Sequence, residues 1–315
     1  MKNSILIKKA ISSILFHSGI LKRLLQRERN GIILGYHQVI PDGDERLRFL
    51  EPGMFVTTST LEKHLQFLKG RYSIIRLEEL PDIEQTGRLC CLTFDDGWED
   101  NYTHAFPILQ KYDVPATIFV TTGNIGDAQW PWPYRISYYL HSSDMMTFLE
   151  IVGSGFFKIG LRSAMNGIHS VGKGLAVHML LTRMKQLDNS LLETLMEFID
   201  NAMSDKKIVL DRKRPMLTWE EISEMGGKGI TFGAHTHTHK ILTSIPISEA
   251  DDEISRSKKI LMERTGKPVD TFCYPNGSFN HDIVKAVDRQ GFRIAVTTKK
   301  GFMEDSENRL EMRRI

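Results

Sequence analysis

The feature that most constrains the fold of this chain is an alternation of short apolar runs with segments of helical spacing. About seven runs have the length and composition of buried strands, at residues 31–37, 72–76, 89–94, 116–121, 230–234, 271–274 and 293–297. Most of them are followed by a helical pattern, and three of these patterns end just before a glycine: Gly70, Gly266 and Gly291. Strands that alternate with helices predict parallel β–α–β units, and hence an α/β sheet or barrel.

The alternation is interrupted between about residues 131 and 215. Apolar residues in this segment fall at helical spacing, for example at Leu192, Leu195 and Ile199. We therefore expect a mostly helical insertion. The β–α pattern resumes at Thr218, which with the glutamate three residues later fits a capping box that opens a helix.

Residues 1–30 combine apolar positions at helical spacing with several Lys and Arg, which predicts a basic amphipathic helix. The apolar stretch is too short to span a bilayer, and no small-residue cleavage site follows it, so we expect no cleaved signal peptide. Such a helix either packs on its own domain or makes a peripheral contact with an anionic membrane. Both alternatives stay open, and with them a cytoplasmic or a membrane-peripheral location. Residues 31–315 are expected to form one domain, since α/β barrels of this size fold as single units.

The composition is that of a globular protein, with 41% hydrophobic and 25% charged residues. A formal net charge of +2 is too close to zero to indicate a nucleic-acid partner. The three cysteines, Cys90, Cys91 and Cys273, all lie in predicted strands. An odd number in core strands argues against a disulfide framework and favours reduced packing residues.

Two adjacent carboxylates stand where the third predicted strand ends. Residues 93–97 read T-F-D-D-G. Neighbouring residues on a regular strand point to opposite faces, so Asp95 and Asp96 require a turn, which Gly97 permits. One carboxylate could then bind a metal while the other acts as a base. The alternative for this motif alone is a simple turn, with an aspartate capping the next helix.

A histidine cluster stands where the fifth predicted strand ends, and residues 235–239 read H-T-H-T-H. On an extended strand all three histidines would share a face. On a helical turn His235 and His239 would share a face while His237 points away, and the preceding glycine favours this second arrangement. With Asp96 they would form a two-histidine, one-carboxylate set, which suits zinc with an open position or non-haem iron.

The candidate residues share one position in the fold. His37, Asp95, Asp96, His235, His239 and Tyr274 all lie at the predicted carboxyl ends of strands. In a barrel these ends meet at one face, where working residues are found. We therefore expect the two motifs to converge on one site.

The paired motifs resemble those of the polysaccharide deacetylase family, the NodB-homology carbohydrate esterases. T-F-D-D-G resembles the first family motif, and H-T-H-T-H resembles the second, H-[S/T]-x-x-H, in the same order. The resemblance implies a distorted (β/α) barrel and a divalent metal, usually zinc. It implies Asp96, His235 and His239 as metal ligands and Asp95 as the general base. The implied reaction removes acetyl groups from an N-acetylated sugar in a polysaccharide, a glycoconjugate or a lipid-linked sugar.

Two later family motifs are altered. The third is usually R-x-P-Y, whereas residues 272–277 read F-C-Y-P-N-G, so the arginine that orients the base has no apparent counterpart. By resemblance, the backbone N–H of Tyr274 could still stabilise the oxyanion. The last motif normally supplies a histidine as general acid, and residues 295–298 contain none. His37 could supply that acid from the first strand, since a barrel brings its first and last strands together. The alternative is a structural histidine.

These departures leave a second class of function open, a catalytically degenerate member of the fold that binds glycan without hydrolysing it. A non-haem iron oxygenase is a third alternative, but no pattern of that fold supports it. Trp98, Trp130, Trp132 and Tyr134 could stack on sugar rings, although packing in the core or a lid is the favoured interpretation.

Overall fold

The structure is a computed structural model. It describes residues 31–315 apart from 52, 84–87, 128–129, 209, 211–213 and 305–307. The amphipathic helix predicted within residues 1–30 lies outside the described part of the chain. Among the described residues, no helix is long and apolar enough to cross a membrane.

Parallel strands form a nearly closed barrel at the centre of the molecule. The strands in chain order are β1 (Ile32–Tyr36), β2 (Gln38–Ile40), β3 (Phe55–Thr57), β4 (Ser73–Ile75), β5 (Leu89–Phe94), β6 (Ala116–Val120), β7 (Ile230–Ala234), β8 (Thr271–Cys273), β9 (Ile294–Lys300) and β10 (Met312–Arg314). The main sheet runs in the order β1-β5-β6-β7-β8-β9-β10, and β4 pairs with the first half of β5. Each of these pairings is parallel.

Closure of the barrel comes from the residue after β10. The N–H of Ile315 donates to the carbonyl of Ile33 over 2.9 Å, and the N–H of Gly35 donates to the carbonyl of Ile315 over 2.9 Å. These two bonds join the last strand to the first. The predicted α/β barrel of about seven strands is therefore confirmed.

Helices cover the barrel and form the segment predicted as an insertion. They are α1 (Thr58–Lys69), α2 (Phe106–Tyr112), α3 (Trp132–Ser142), α4 (Met145–Lys158), α5 (Lys173–Met184), α6 (Asn189–Asp205), α7 (Trp219–Gly226), α8 (Ile247–Thr265) and α9 (His281–Arg289). A π-helical turn, Asn101–Ala105, precedes α2. Helix α7 begins with the predicted capping box of Thr218 and Glu221.

Strand alternation divides the core into two layers. In β5, Cys90, Leu92 and Phe94 pack against the surrounding helices, whereas Cys91 packs with Ile33 in the barrel interior. All six residues of β5 are buried, which explains its continuous apolar sequence. The same alternation directs the next residue of the chain, Asp95, towards the barrel interior.

Helices α3–α6 have a hydrophobic core of their own, built from residues such as Phe148, Leu180 and Ile199. A smaller apolar cluster, which includes Trp98, Trp130 and Tyr134, lies between this bundle and the barrel.

Three strands were not predicted from the sequence: β2, β3 and β10. Each has only three residues. The strand expected at 72–76 exists as β4, but it lies beside β5 and is not one of the seven barrel strands. Strand β10, which contains Arg314, is the seventh strand of the barrel.

Candidate metal centre and catalytic site

The two aspartates of the first motif point to different places because the chain turns between them. Asp96 has a φ of 76° and Gly97 a φ of 80°, both in the left-handed region. An L-residue is uncommon there, and such positions cluster at functional sites. The turn brings the Asp96 carboxylate towards the histidine cluster, while Asp95 remains in the barrel interior.

Asp96 lies between the two histidines expected to share its site. Its Oδ1 atom is 3.4 Å from Nε2 of His235 and 3.3 Å from Nε2 of His239. Burial raises the pKa of Asp96, but hydrogen bonds from the two imidazoles outweigh burial and hold the pKa well below its usual range. The His235 side chain is only 3% exposed, whereas that of His239 is 40% exposed. The site is therefore open to solvent on the His239 side.

The segment that presents the histidines is a bend rather than the helical turn that was expected. Thr236 and His239 have φ values of 63° and 62°. Glu253, buried on α8, holds this bend: its carboxylate accepts the N–H groups of His237 and Thr238 over 2.9 and 2.7 Å and the Thr238 hydroxyl over 2.7 Å. Three hydrogen bonds to one carboxylate stabilise a backbone that is otherwise unfavourable.

His235 and His239 lie together and His237 lies apart, which is the arrangement of the second alternative drawn from the sequence. Nδ1 of His235 lies 2.7 Å from the carbonyl of Cys273, which leaves Nε2 directed at Asp96. His237 turns away, and its Nδ1 is 3.0 Å from the hydroxyl of Thr122.

Asp95 is paired with an arginine that the sequence analysis did not find. Nη1 of Arg314 donates to Oδ1 of Asp95 over 2.7 Å, and Nη2 donates to Oδ2 over 2.7 Å. The guanidinium also contacts the Thr297 carbonyl at 2.8 Å, the Thr93 hydroxyl at 3.1 Å and the Cys273 thiol at 3.4 Å. The expectation that no arginine orients Asp95 is therefore wrong.

This pair sets the charge of Asp95. Burial raises the pKa of Asp95, but the positive charge of Arg314 and its two hydrogen bonds lower the pKa by more, so it lies below its usual range. Gly35 makes room for the guanidinium, since a Cβ atom there would lie 3.3 Å from Nη1 of Arg314. Asp95 is thus a buried, ionised and fixed carboxylate.

His37 lies beside the Asp95 carboxylate. Its Nε2 atom is 3.8 Å from Oδ2 of Asp95, and its side chain is 25% exposed. The chain after β1 is held by neighbouring residues: Asn101 donates to the carbonyl of His37 over 2.8 Å, and Asp100 accepts the N–H of Val39 over 2.9 Å. Burial raises the pKa of Asp100 to about 8.

Tyr274 lies at the end of β8, and its groups are engaged elsewhere. Its N–H donates to the carbonyl of Val296 over 3.3 Å, and its hydroxyl donates to the carbonyl of Leu310 over 2.9 Å. To stabilise the oxyanion as expected, this N–H would have to break its hydrogen bond to the Val296 carbonyl and donate to the substrate instead.

The aromatic residues before the insertion are packing residues. Trp130 and Tyr134 are 8% and 7% exposed, with ring centroids 4.2 Å apart. Both rings lie near Trp98, which is 5% exposed. A sugar platform made by these three rings is therefore excluded in this conformation.

Within the described part of the chain, two groups of side chains have donor atoms close enough to hold a metal ion. One is Asp96, His235 and His239, and the other is Asp95, His235 and Cys273. Tetrahedral zinc bonds of about 2.0–2.1 Å place neighbouring donor atoms roughly 3.3 Å apart. The two distances from Oδ1 of Asp96 to the histidine Nε2 atoms, 3.4 and 3.3 Å, match this spacing. In the second group both oxygens of Asp95 are bound by Arg314. The first group fits a metal ion better.

A family model for polysaccharide deacetylase matches residues 82–295, which is more than half of the chain. The protein therefore belongs to the polysaccharide deacetylase family.

Two bacterial relatives show the range of similarity. The candidate polysaccharide deacetylase YxkH of Bacillus subtilis is 20% identical over 289 residues, covering 90% of this chain and 70% of YxkH. The poly-β-1,6-N-acetyl-D-glucosamine N-deacetylase of Staphylococcus aureus is 27% identical over 157 residues, covering 44% of this chain and 48% of that enzyme. The match thus spans about half the length of the staphylococcal enzyme.

Solved structures agree with the fold. The deacetylase PplD of Streptococcus pyogenes, in complex with acetate, superposes with a TM-score of 0.58 at 20% identity and covers 91% of both chains. IcaB of Ammonifex degensii superposes with a TM-score of 0.56 at 18% identity, again over 91% of both chains.

Three residues at the site were not predicted from the sequence: Arg314, Glu253 and Cys273. Arg314 and Glu253 lie outside both motifs, and only the fold brings them there. Cys273 was assigned to packing alone, but its carbonyl orients His235 and its thiol lies 3.4 Å from Nη2 of Arg314. The proline and tyrosine after it were the only local signal that the strand end belonged to the site.

Proposed function

We propose that this polysaccharide deacetylase is a metal-dependent hydrolase that removes acetyl groups from an N-acetylated sugar of a polysaccharide or glycoconjugate. The observation that carries the proposal is the division between the adjacent aspartates. Asp96 is grouped with His235 and His239, whereas Asp95 is fixed by Arg314 beside His37.

Asp96, His235 and His239 are proposed to hold the metal. A divalent ion, for which zinc suits this donor set, would act there as a Lewis acid on the acetyl carbonyl. The exposed side of His239 leaves room for an acetyl group and a water molecule to approach.

Asp95 is proposed as the general base. It is ionised at neutral pH because Arg314 holds its pKa low, so it can accept a proton from the attacking water. The two parallel bonds from Arg314 fix the plane of the carboxylate, which keeps one orientation for proton transfer.

His37 is proposed as the general acid that protonates the departing amine. Support comes from its Nε2 atom, 3.8 Å from Asp95, and from its partial exposure to the open side of the barrel. Tyr274 is proposed to stabilise the oxyanion through its backbone N–H, which would have to leave the Val296 carbonyl.

The substrate is proposed to be an N-acetylated glycan, or a lipid-linked sugar that carries the same group. The staphylococcal relative is named for a polymer of N-acetyl-D-glucosamine, which makes such oligomers the first compounds to test. A peripheral membrane contact through residues 1–30 would suit a lipid-linked substrate. A glycan-binding protein without activity is the less supported alternative. Of the two departures that suggested it, the missing arginine is offset by Arg314, which pairs with Asp95 from another strand, while the missing late histidine remains.

Release of acetate from N-acetylated glucosamine oligomers tests this function. We expect the wild type to release acetate. This activity should be lost after chelation of the metal and should return when Zn²⁺ is added. Asp95→Asn should lose about 10²–10⁴-fold in kcat, because it removes the base. Asp251→Asn, on α8, serves as a control and should be fully active. Activity that is indifferent to both chelation and Asp95→Asn would reject the proposal.

The same assay tests the acid. His37→Ala should lose about 10²-fold or more in kcat. Near-normal turnover by this variant would assign His37 a structural role.

A further inference from the structure

The two oxygens of the Asp96 carboxylate face different partners. Oδ1 faces the two histidine Nε2 atoms, at 3.4 and 3.3 Å. Oδ2 accepts a hydrogen bond from the indole Nε1–H of Trp98 over 3.0 Å. Oδ1 is therefore directed at the two histidines of the proposed metal site, and Oδ2 is bound by an uncharged hydrogen-bond donor.

Trp98 is held in place from one side by the beginning of the helical insertion. Its ring centroid lies 6.1 Å from that of Trp130, just before this segment, and 6.0 Å from that of Tyr134, in the first helix of the segment. The indole has no free rotation here, because the side chain is 5% exposed and belongs to a continuous apolar cluster.

The end of the insertion holds the backbone of Trp98 from the other side. Trp98 forms an isolated antiparallel bridge with Met216. Around it, the N–H of Leu217 donates to the carbonyl of Gly97 over 2.9 Å, and the N–H of Glu99 donates to the carbonyl of Pro215 over 2.8 Å. Both ends of the insertion thus converge on the residue that contacts Asp96.

We propose that Trp98 is a positioning residue of the metal centre: its indole N–H occupies Oδ2 of Asp96, so that Asp96 offers Oδ1 alone to the metal, and the helical insertion fixes that arrangement. This inference rests on the proposed metal site. Partners of metal ligands orient the ligand, and their loss commonly costs 10–100-fold in metal affinity. The insertion then has a role in the chemistry of the barrel, although none of the proposed ligands lies within it.

A packing role and a hydrogen-bonding role make different demands on this side chain. Packing against Trp130 and Tyr134 requires an aromatic ring, which phenylalanine also provides. The contact with Asp96 requires the indole N–H, which phenylalanine lacks. Trp98→Phe therefore separates the two roles.

The test is a competition titration of Zn²⁺ against a chromophoric chelator, with the full-length protein. We expect Trp98→Phe to bind Zn²⁺ about 10–100-fold more weakly than the wild type. Trp130→Phe, which truncates another indole of the same cluster, should stay within about threefold of the wild type. Equal affinity of Trp98→Phe and wild type would overturn the inference. An equal loss in both variants would overturn it too, since packing alone would explain it.

A second measurement applies if Trp98→Phe does not fold. The wild type has four tryptophans, so ¹⁵N-indole labelling gives four Nε1–H signals. We expect the Trp98 signal to exchange slowly with solvent and to shift when Zn²⁺ is added. A Trp98 signal that exchanges rapidly and does not respond to Zn²⁺ would overturn the inference.

The outcome for the wild type separates this inference from the function on which it rests. A wild type that binds no Zn²⁺ rejects both the proposed metal site and the role of Trp98. A wild type that binds one Zn²⁺ with an unaffected Trp98→Phe rejects the role of Trp98 alone.

Discussion

At the scale of single residues, adjacent aspartates differ in charge environment because of one turn. Asp95 continues the inward alternation of β5 and meets Arg314, while the left-handed backbone of Asp96 redirects its carboxylate to His235 and His239. Two identical side chains thereby suit two tasks, a base and a ligand. The same motif on a regular strand would place them on opposite faces of the sheet.

The Arg314–Asp95 pair leads to a prediction about pH. Asp95 can act as the proposed general base only when it is ionised, and Arg314 lowers its pKa. Without Arg314, the largest effect that opposes burial is lost and the pKa of Asp95 rises. Arg314→Gln should therefore move the acidic limb of the kcat/KM profile to higher pH, with Arg314→Lys intermediate because lysine restores the charge but not the two parallel bonds.

We also expect Arg314→Gln and Arg314→Lys to be less stable than the wild type at neutral pH. A carboxylate with a lowered folded-state pKa stabilises the protein above its unfolded pKa, and that stabilisation is lost as the pH falls through the folded value. Removing one partner of a buried pair typically costs about 3–5 kcal/mol at neutral pH. Denaturant unfolding and pH–rate profiles measure both effects, with Arg313→Gln as the control from the neighbouring position, where the side chain is 38% exposed. An unchanged acidic limb in Arg314→Gln would contradict the assigned role of Arg314.

At the scale of elements, the strands and helices that bear the motifs were predictable, because their periodicity and apolar length are local properties. Strands β5 and β7 begin and end at the residues that the sequence pattern indicates, and α7 begins at the predicted capping box. The three-residue strand β10 has no such signal. Arg314 meets Asp95 across 219 positions of sequence, a contact that only the barrel creates.

The histidine bend shows a second limit of local prediction. The sequence suggested a helical turn, but the chain forms a bend with two left-handed residues, stabilised by a carboxylate from α8. The grouping of His235 with His239 was nevertheless correct, because both arrangements turn His237 away.

Glu253 supplies the prediction at this scale. Glu253→Ala removes the acceptor of two backbone N–H groups next to His239 and leaves them unsatisfied. Both hydrogen bonds are part-buried, so their loss should cost less than the roughly 1–3 kcal/mol of a fully buried unsatisfied group. We expect lower stability and roughly tenfold weaker Zn²⁺ binding, since the ligand loop loses its support. Thermal unfolding and Zn²⁺ titration provide the measurements.

The control for this variant comes from the same helix. Glu263→Ala removes a glutamate whose side chain is 62% exposed and should leave both quantities unchanged. If Glu253→Ala destabilised the protein while its Zn²⁺ affinity stayed at the wild-type level, Glu253 would support the fold but not the site.

At the scale of the whole molecule, the site exists because the barrel closes. The bonds of Ile315 to Ile33 and Gly35 place β10 beside β1, and this contact brings Arg314, Asp95 and His37 together. The helical insertion contributes from outside the barrel through the cluster around Trp98. Residues from the first strand, the last strand and the insertion therefore meet at one end of the barrel.

We propose that the metal is held by Asp96, His235 and His239, while Asp95 does not bind the metal and acts as the base. Anomalous X-ray diffraction at the zinc edge, from crystals of the protein grown with Zn²⁺, measures this directly. The predicted result is one peak about 2.0–2.2 Å from Oδ1 of Asp96 and Nε2 of His235 and His239, with Asp95 bound only by Arg314. A peak bonded to Asp95 and Cys273, or no peak at the barrel mouth, would contradict the claim.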